Sequence, residues 1–224
     1  MYKGQSITVI IPCLNEEQGI QLVLSDIPDF VDEVIVVDNN STDRTPEVAR
    51  SMGAKGIAEK VPGYGSSYKR GFANATGDII ITLDGDHSYP VNGISYLLEA
   101  FLHLKVDFLN ASRFPVHDER AMSAKHKFGN FVLSTAMSIL YFHWVSDSQS
   151  GMWVFRRSIL KDMKLRADGM AFSEEIKIEA LRNPNIRFGE ISIMYSSRSG
   201  ETKLNAWRDG FYNLWFLVRK RFRP

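Results

Sequence analysis

Short β-branched runs alternate with amphipathic stretches along the first half of the chain. Ser6 to Pro12 (SITVIIP), Asp32 to Asp38 (DEVIVVD), Asp78 to Leu83 (DIIITL) and Asp107 to Ala111 (DFLNA) are short and almost wholly apolar inside, the pattern of strands buried on both faces. Helices are expected between them. Asn15 stands where it could cap one, with Glu16 and Glu17 in the first turn. Thr45 before Pro46 and Glu47 reads as a cap followed by proline at the first helical position, and Pro90 opens a further helix. Strands alternating with helices imply a parallel sheet with right-handed crossovers, and such sheets bind ligands beyond the carboxyl ends of their strands.

The pattern changes after residue 112. Arg113 to Lys127 is polar and basic and reads as a loop; Phe131 to Val145 (FVLSTAMSILYFHWV) reads as an apolar helix. A turn (DSQSG, 147–151), a strand (MWVFRR, 152–157), a helix from Phe172 to about Leu181 and a strand from Arg187 to Met194 follow. A basic, amphipathic helix is expected from about Asn205. No repeat, low-complexity tract or linker divides the chain, so residues 1–224 are expected to form one domain.

Composition narrows the function classes. With 44% hydrophobic and 24% charged residues the chain reads as globular, and a net charge of +1 gives no general field to draw in nucleic acid. Function carried by charge must therefore come from local clusters. The single cysteine, Cys13, excludes an intramolecular disulfide and a cysteine-rich zinc site, and fits a reducing compartment. The first apolar run is too short for a signal peptide and lacks a small-residue cleavage pattern, so secretion is not expected. The 131–145 stretch is shorter than the ~20 residues of a membrane span and carries His143, so it cannot comfortably cross a bilayer, though it could lie against one.

Three strand ends carry the informative polar residues: Pro12, Leu14, Asn15 and Glu16; Asp38; and Asp84 with Asp86 in IIITLDGDHSYP (79–90). Glu16 and Glu17 could serve only as helix caps, and Asp38, followed by NNSTD, could serve only a turn. The Asp84/Asp86 pair is harder to explain that way. Two ionised carboxylates about 6 Å apart repel by roughly 2–3 kcal/mol at an effective dielectric near 20. A hard divalent cation, Mg²⁺ or Mn²⁺, would offset that and share its other positions with substrate phosphates. No GxxxxGK[ST] loop and no GxGxxG is present; GYGSSYKRG (63–71) has glycines and Lys69 at the wrong spacing for either, so kinase and dehydrogenase classes are not supported. No Ser-His-Asp arrangement or HExxH-like spacing stands out.

IPCLNEE, VVDNNSTD, GYGSSYKRG, LDGDHSYP, the pair Ser112 and Arg113, DSQSGM, SEEI and YSSRSGETKL occur in the order seen in family 2 glycosyltransferases, and the sequence resembles most the dolichyl- or polyprenyl-phosphate sugar synthases. The resemblance covers nearly the whole chain. It implies a GT-A fold, a Rossmann-like α/β architecture with a mixed, mainly parallel central sheet flanked by helices, and an inverting, metal-dependent transfer from a UDP- or GDP-linked sugar. Residues 1–112 would form the nucleotide-binding half, 113–204 the acceptor half and 205–224 the terminal helix. By motif position Pro12, Leu14, Asn15, Glu16 and Asp38 would hold base and ribose, Asp84 would approach the nucleotide, and Asp86, with Asp84, would bind metal and diphosphate. Ser88 departs from the pattern, standing where relatives of the mannosyl type often have a metal-contacting Gln.

On the acceptor side the resemblance implies that Arg113, Arg198, Thr202 and Lys203 face an acceptor phosphate, which guanidinium forks and an ammonium suit; a solvated basic loop is the plain alternative. A phosphate monoester is mostly dianionic at neutral pH and needs no strong base. A hydroxyl acceptor, such as a phosphorylated acid or a growing glycan, would need one, and Glu174 or, by motif position, Glu175 is the candidate, unless these acids pair with Lys177 or another basic neighbour. A catalytically silent nucleotide-sugar-binding module is the remaining class. The stretch NAWRDGFYNLWFLVRKRFRP places Trp207, Phe211, Leu214, Trp215 and Val218 near one helical face, ahead of Arg219, Lys220, Arg221 and Arg223. That composition suits a membrane interface as well as packing on the domain. Localisation is expected to be cytoplasmic, with peripheral attachment at the cytoplasmic membrane face or through a separate anchoring partner.

Overall fold

The computed structural model describes residues 1–198 and 206–222, with side chains from 209 onward in the second segment. Seven strands form one sheet in the order β3-β2-β1-β4-β6-β5-β7. In chain order the first elements are β1 (Ile7–Cys13), α1 (Glu17–Ser25), β2 (Glu33–Asp38), α2 (Thr45–Ser51), β3 (Lys55–Ala58), α3 (Tyr64–Asn74) and β4 (Ile79–Thr82). There follow α4 (Ile94–His103), β5 (Phe108–Ser112), α5 (Ala124–Tyr141), β6 (Trp153–Arg156), α6 (Phe172–Arg182), β7 (Phe188–Ser192) and α7 (Ala206–Phe222). The mixed, mainly parallel sheet flanked by helices is the expected class: β6 alone runs antiparallel, between β4 and β5.

The continuous apolar runs are strands covered on both faces. Ile7, Val9 and Ile11 of β1 face one core with Ile20 and Val23 of α1 and Leu97, Leu98 and Phe101 of α4. Ile10, Ile35 and Val37 face the other, with Tyr68 and Phe72 of α3 and Phe172 and Ile176 of α6. A third cluster joins α5, α6 and α7 through Met137, Ile178 and Leu217.

Two elements, β3 and α3, lie between the marked strands, and Tyr64, Tyr68 and Phe72 give α3 a helical period. β3 is an edge strand with mostly exposed residues, and α3 buries small residues, Gly65, Ser66, Ser67 and Gly71, where bulk would betray a helix. Close approach requires this: a Cβ on Gly71 would lie 2.5 Å from Ile10 Cγ2.

Helix boundaries also correct three expectations. Asn15 does not cap α1, which follows Glu16 without a side-chain cap. Its Oδ1 instead accepts from the Thr42 backbone N–H at 2.7 Å, and Asn15 itself takes φ +52°. Thr45 is the first helical residue of α2, one position inside the cap, and its hydroxyl accepts from Glu16 N–H at 2.8 Å. Both residues stitch the loops after β1 and β2 together. α5 begins seven residues before the apolar run, at Ala124, capped by Ser123, and ends at Tyr141, where Phe142 turns left-handed at φ +54°. Pro90 does lead, through a 3₁₀ turn (Val91–Gly93), into α4.

Candidate active site

Parallel pairing sets the site. β1 pairs with β2 so that Cys13 stands beside Asp38, and with β4 so that Ile10 stands beside Thr82; all three strands end at the same sheet edge. Because β6 runs the other way, the loop before it (147–151) arrives at that edge too, beside the end of β4. A cavity of about 510 Å³ opens there, walled by Pro12 at the end of β1, Leu14 and Glu16 after it, Asp84 and Asp86 after β4, and Arg198. Residues from the first and last motifs of the chain thus converge on one cleft.

Asp86 is buried and held from two sides. Ser88 donates to its Oδ1 from the backbone N–H at 3.0 Å and from the hydroxyl at 2.6 Å, while Arg198 Nη2 lies 3.1 Å from Oδ2. Ser88 is therefore an orienting residue for Asp86. Arg198 also reaches Glu16 at 3.6 Å. Asp84 receives the Tyr64 hydroxyl at 3.2 Å. Burial, and then the charge of Asp86, push the Asp84 carboxyl up to about 7, against the opposing pull of the Tyr64 bond, Arg113 and Arg198. Negative charge is crowded here, and a guanidinium from the opposite half sits against it.

These donors fit a hard divalent cation. Both aspartates line the same cavity, and carboxylate oxygens are the ligands such an ion takes. Among the described residues they are not part of a cage of three or more acidic, His or Cys side chains.

Two residues expected at the nucleotide are not cavity walls. Asn15 is committed to Thr42, and Asp38, at the end of β2, accepts from the Ser41 N–H at 3.3 Å, a turn role. Their neighbour Asn39 takes the wall position instead. Its amide donates to the Glu59 and Val61 carbonyls at 3.0 and 2.8 Å and accepts from Gly63 N–H at 2.7 Å, which folds the 59–63 strap, with Lys60, into the cavity. Asn39 and Tyr64 lie within VVDNNSTD and GYGSSYKRG, so the segments were visible but their working residues were not. Lys60 and Met170 carry no local signal. Gly151, in DSQSG, must be glycine: a Cβ there would sit 2.2 Å from the Tyr64 hydroxyl and 3.2 Å from Asp84 Oδ1.

The polar residues beyond Ser112 are arranged differently. Arg113 grips buried Asp147 in a fork, Nε to Oδ2 at 2.7 Å and Nη2 to Oδ1 at 2.8 Å, with its guanidinium 5.4 Å from the Tyr195 ring centre. Burial opposes the charge on Asp147, but that fork holds its carboxyl below the ordinary range. Glu175, the expected base for a hydroxyl acceptor, has both carboxylate oxygens engaged. One carboxylate oxygen accepts from the Arg166 and Ala167 N–H groups at 2.7 Å each, and the other meets Lys220 Nζ at 2.7 Å. Glu174 is fully buried, bonded to Gln149 at 2.7 Å, and burial raises its carboxyl well above the usual value. Lys177 pairs with neither; its buried ammonium meets the Ser148, Ser150 and Ser173 carbonyls at 2.7–3.0 Å. Lys69 binds Asp168 at 2.6 Å, away from the cavity walls. Thr202 and Lys203 lie outside the described residues, as do Arg223 and the side chain of Trp207.

Residues 8–164 match the model of glycosyl transferase family 2. Similar curated proteins include a dolichyl-phosphate hexose transferase of Haloferax volcanii, 33% identical over 93% of this chain and 91% of that protein. Another is the low-salt glycan biosynthesis hexosyltransferase Agl6 of the same organism, 30% identical over 95% of this chain; the match spans 53% of that longer protein. Among solved structures, glucosyl-3-phosphoglycerate synthase from Mycobacterium tuberculosis, crystallised with Mn²⁺, UDP and glucosyl-3-phosphoglycerate, superposes with a TM-score of 0.75. It is 21% identical and covers 97% of this chain and 80% of its own, a likeness of fold.

Proposed function

From the premise that this chain belongs to glycosyl transferase family 2, we propose that it moves a hexosyl or N-acetylhexosaminyl group from a UDP- or GDP-linked donor to a polyprenyl phosphate. The work would be done at the cytoplasmic face of a membrane. The observation that carries the reading is the meeting of Asp84, Asp86 and Arg198 in one cavity at the ends of β1 and β4.

The nucleotide lies against Pro12, Leu14, Asn39 and the 59–63 strap, with its diphosphate toward Asp84 and Asp86. Asp86, with Asp84 beside it, would hold Mg²⁺ or Mn²⁺, which when bound supplies Lewis-acid stabilisation of the departing nucleoside diphosphate. Ser88 fixes the rotamer of Asp86. Arg198, already in contact with that acid, is placed to bind phosphate oxygen once the diphosphate and its cation arrive. An oxygen of the acceptor phosphate attacks the anomeric carbon as the bond to the diphosphate breaks on the opposite face. The bonding electrons leave with the diphosphate and the configuration inverts.

No proton has to be removed from a phosphate dianion. This agrees with the placement of Glu174, fully buried against Gln149, and of Glu175, both of whose oxygens are engaged by N–H groups and Lys220. A hydroxyl acceptor would require one of them to be released. The relative named for dolichyl-phosphate hexose transfer supports the lipid phosphate.

Purified protein should transfer label from a matched nucleotide sugar to polyprenyl phosphate in detergent when Mn²⁺ is added, and should leave the corresponding polyprenol unmodified. Transfer to phosphoglycerate or to a glycan hydroxyl, with none to the lipid phosphate, would replace this acceptor assignment with the soluble one.

A further inference from the structure

The two oxygens of Asp86 are held by different means. Oδ1 accepts twice from Ser88, from the backbone N–H at 3.0 Å and from the hydroxyl at 2.6 Å. Both its lone pairs are taken by a residue of the same turn, so these bonds come with the local fold. Oδ2 is held from far along the chain: Arg198, in the loop after β7, brings Nη2 to 3.1 Å from it.

The Arg198 grip is the looser of the two. The same Nη2 is drawn toward Glu16 at 3.6 Å, an ion pair beyond hydrogen-bond length. Its Nε–H is buried and has no acceptor among the described residues, which costs free energy. A diphosphate supplies what is lacking, because phosphate oxygens accept from two N–H groups of a guanidinium at once.

With Oδ1 filled by Ser88, a hard divalent cation has Oδ2 to bind. It would sit about 2.1 Å from that oxygen, and a guanidinium nitrogen held against the same atom then faces it as a like charge at close range. Cation and Arg198 therefore compete for one atom.

We infer that Arg198 is a cation competitor at Asp86: it neutralises the acid until a nucleoside diphosphate draws the guanidinium onto its own oxygens, so that cation and nucleotide load together and the cation alone binds poorly. This role deepens the glycosyl-transfer reading and rests on it, since that reading places the diphosphate beside Asp84 and Asp86. Linkage makes the coupling reciprocal: nucleotide strengthens cation binding by the factor by which cation strengthens nucleotide binding. An ion bridging diphosphate and carboxylate would couple the two without Arg198, so the diagnostic quantity is the affinity for the cation by itself. Removing a residue that only binds phosphate leaves that affinity where it was. Removing a competitor raises it.

The experiment is titration of the whole protein with Mn²⁺, read by electron paramagnetic resonance of the free ion, first without nucleotide and then with saturating UDP or GDP, whichever the wild type binds. Arg198→Gln should bind Mn²⁺ alone roughly tenfold more tightly than wild type, within the ~5–150-fold range of coupled sites, and should gain less from added nucleotide. Arg198→Ala removes the same contact and should match it, which covers a failure of the first variant to fold. Lys60→Gln removes an exposed cation of the same cavity wall, and should change Mn²⁺ affinity by less than about threefold, because solvent and salt screen it. Adding Asp86→Asn to Arg198→Gln should abolish the gain. Equal or weaker binding of Mn²⁺ by the folded Arg198 variants overturns the proposal. So does a gain of equal size in Lys60→Gln, which would assign it to net charge, or a gain that survives Asp86→Asn, which would place the ion elsewhere. If wild type binds nucleotide with Mn²⁺ and the Arg198 variants gain nothing, the competition falls and the glycosyl-transfer reading stands; if wild type binds neither UDP nor GDP with Mn²⁺, both fall.

Discussion

The two halves of the molecule handle charge in opposite ways. At the ends of β1 and β4 the acids are brought together without enough compensation: Asp84 and Asp86 share a cavity, the Asp84 carboxyl is driven up to about 7, and Arg198 leans across from the other half to meet them. In the second half most prominent charges have partners, although burial pulls the Lys177 ammonium down to about 7 and drives the Glu174 carboxyl well up. Arg113 closes on Asp147, Glu175 on Lys220, and Lys177 on three carbonyls. The comparison separates charges kept for a ligand from charges used to hold loops. Motif position alone does not, because both kinds sit in short polar segments after strands.

The sharpest attempt to break this contrast is Asp86→Asn. It should lower transfer by roughly a thousandfold while leaving the circular dichroism spectrum and melting midpoint near wild type, a loss of the size seen for removal of a principal charge-stabilising group. Retained turnover would move the diphosphate away from the end of β4. Lys177→Met probes the opposite kind of charge. It removes the shortest donor to the buried Ser148 and Ser150 carbonyls, of which Ser150 keeps Trp153 Nε1–H and the Ser173 hydroxyl, and urea denaturation should show a loss of about 2–3 kcal/mol. A loss well under about 1 kcal/mol would mean that the 147–151 loop is held by its other contacts.

Glu175→Gln sharpens the boundary between the classes. It should cost about 1–2 kcal/mol of stability, because Lys220 keeps Glu179 as a partner. Its turnover number with polyprenyl phosphate should stay within about threefold of wild type, whereas loss of a general base costs about 100-fold or more. The last test is the pH dependence of stability in Asp84→Asn, read on the metal-free protein. The folded carboxyl holds its proton up to about 7, against an ordinary value of 3.8, so the native state binds more protons than the unfolded chain between those limits. Wild-type stability attributable to this group is therefore complete below about pH 4 and declines as pH rises to about 7. The variant should lack that decline in a series of melting curves, and a decline of equal size in both proteins would assign it to other groups.

Much of this was legible from residue order. Buried strands announce themselves as unbroken β-branched runs, and LDGDHSYP after such a run marked the place where Asp84 and Asp86 line the cavity. β3 was hidden because an exposed edge strand has no apolar period, and α3 was masked in part by the glycines and serines that stand between Tyr64, Tyr68 and Phe72. Asn39, Lys60 and Gly151 were hidden for a related reason. Their importance comes from what lies opposite them, Gly63, the cavity and Asp84, and none of those partners is a sequence neighbour at a fixed spacing.

The sequence alone determined the alternation of strand and helix, the family, and the strand ends at which charged residues would gather, since these depend on local period and on ordered motifs. Tertiary structure decided which of those charges remain available. Whether Glu175 acts as an acid in a cleft or as an anchor for α7, and whether Asn213 and Lys220 or Phe211 and Trp215 point inward, depends on partners 45 to 64 residues distant or on the packing of one helix against another. A carboxylate's proton affinity and a helix's buried face are set by what surrounds them, and only the folded chain supplies those surroundings.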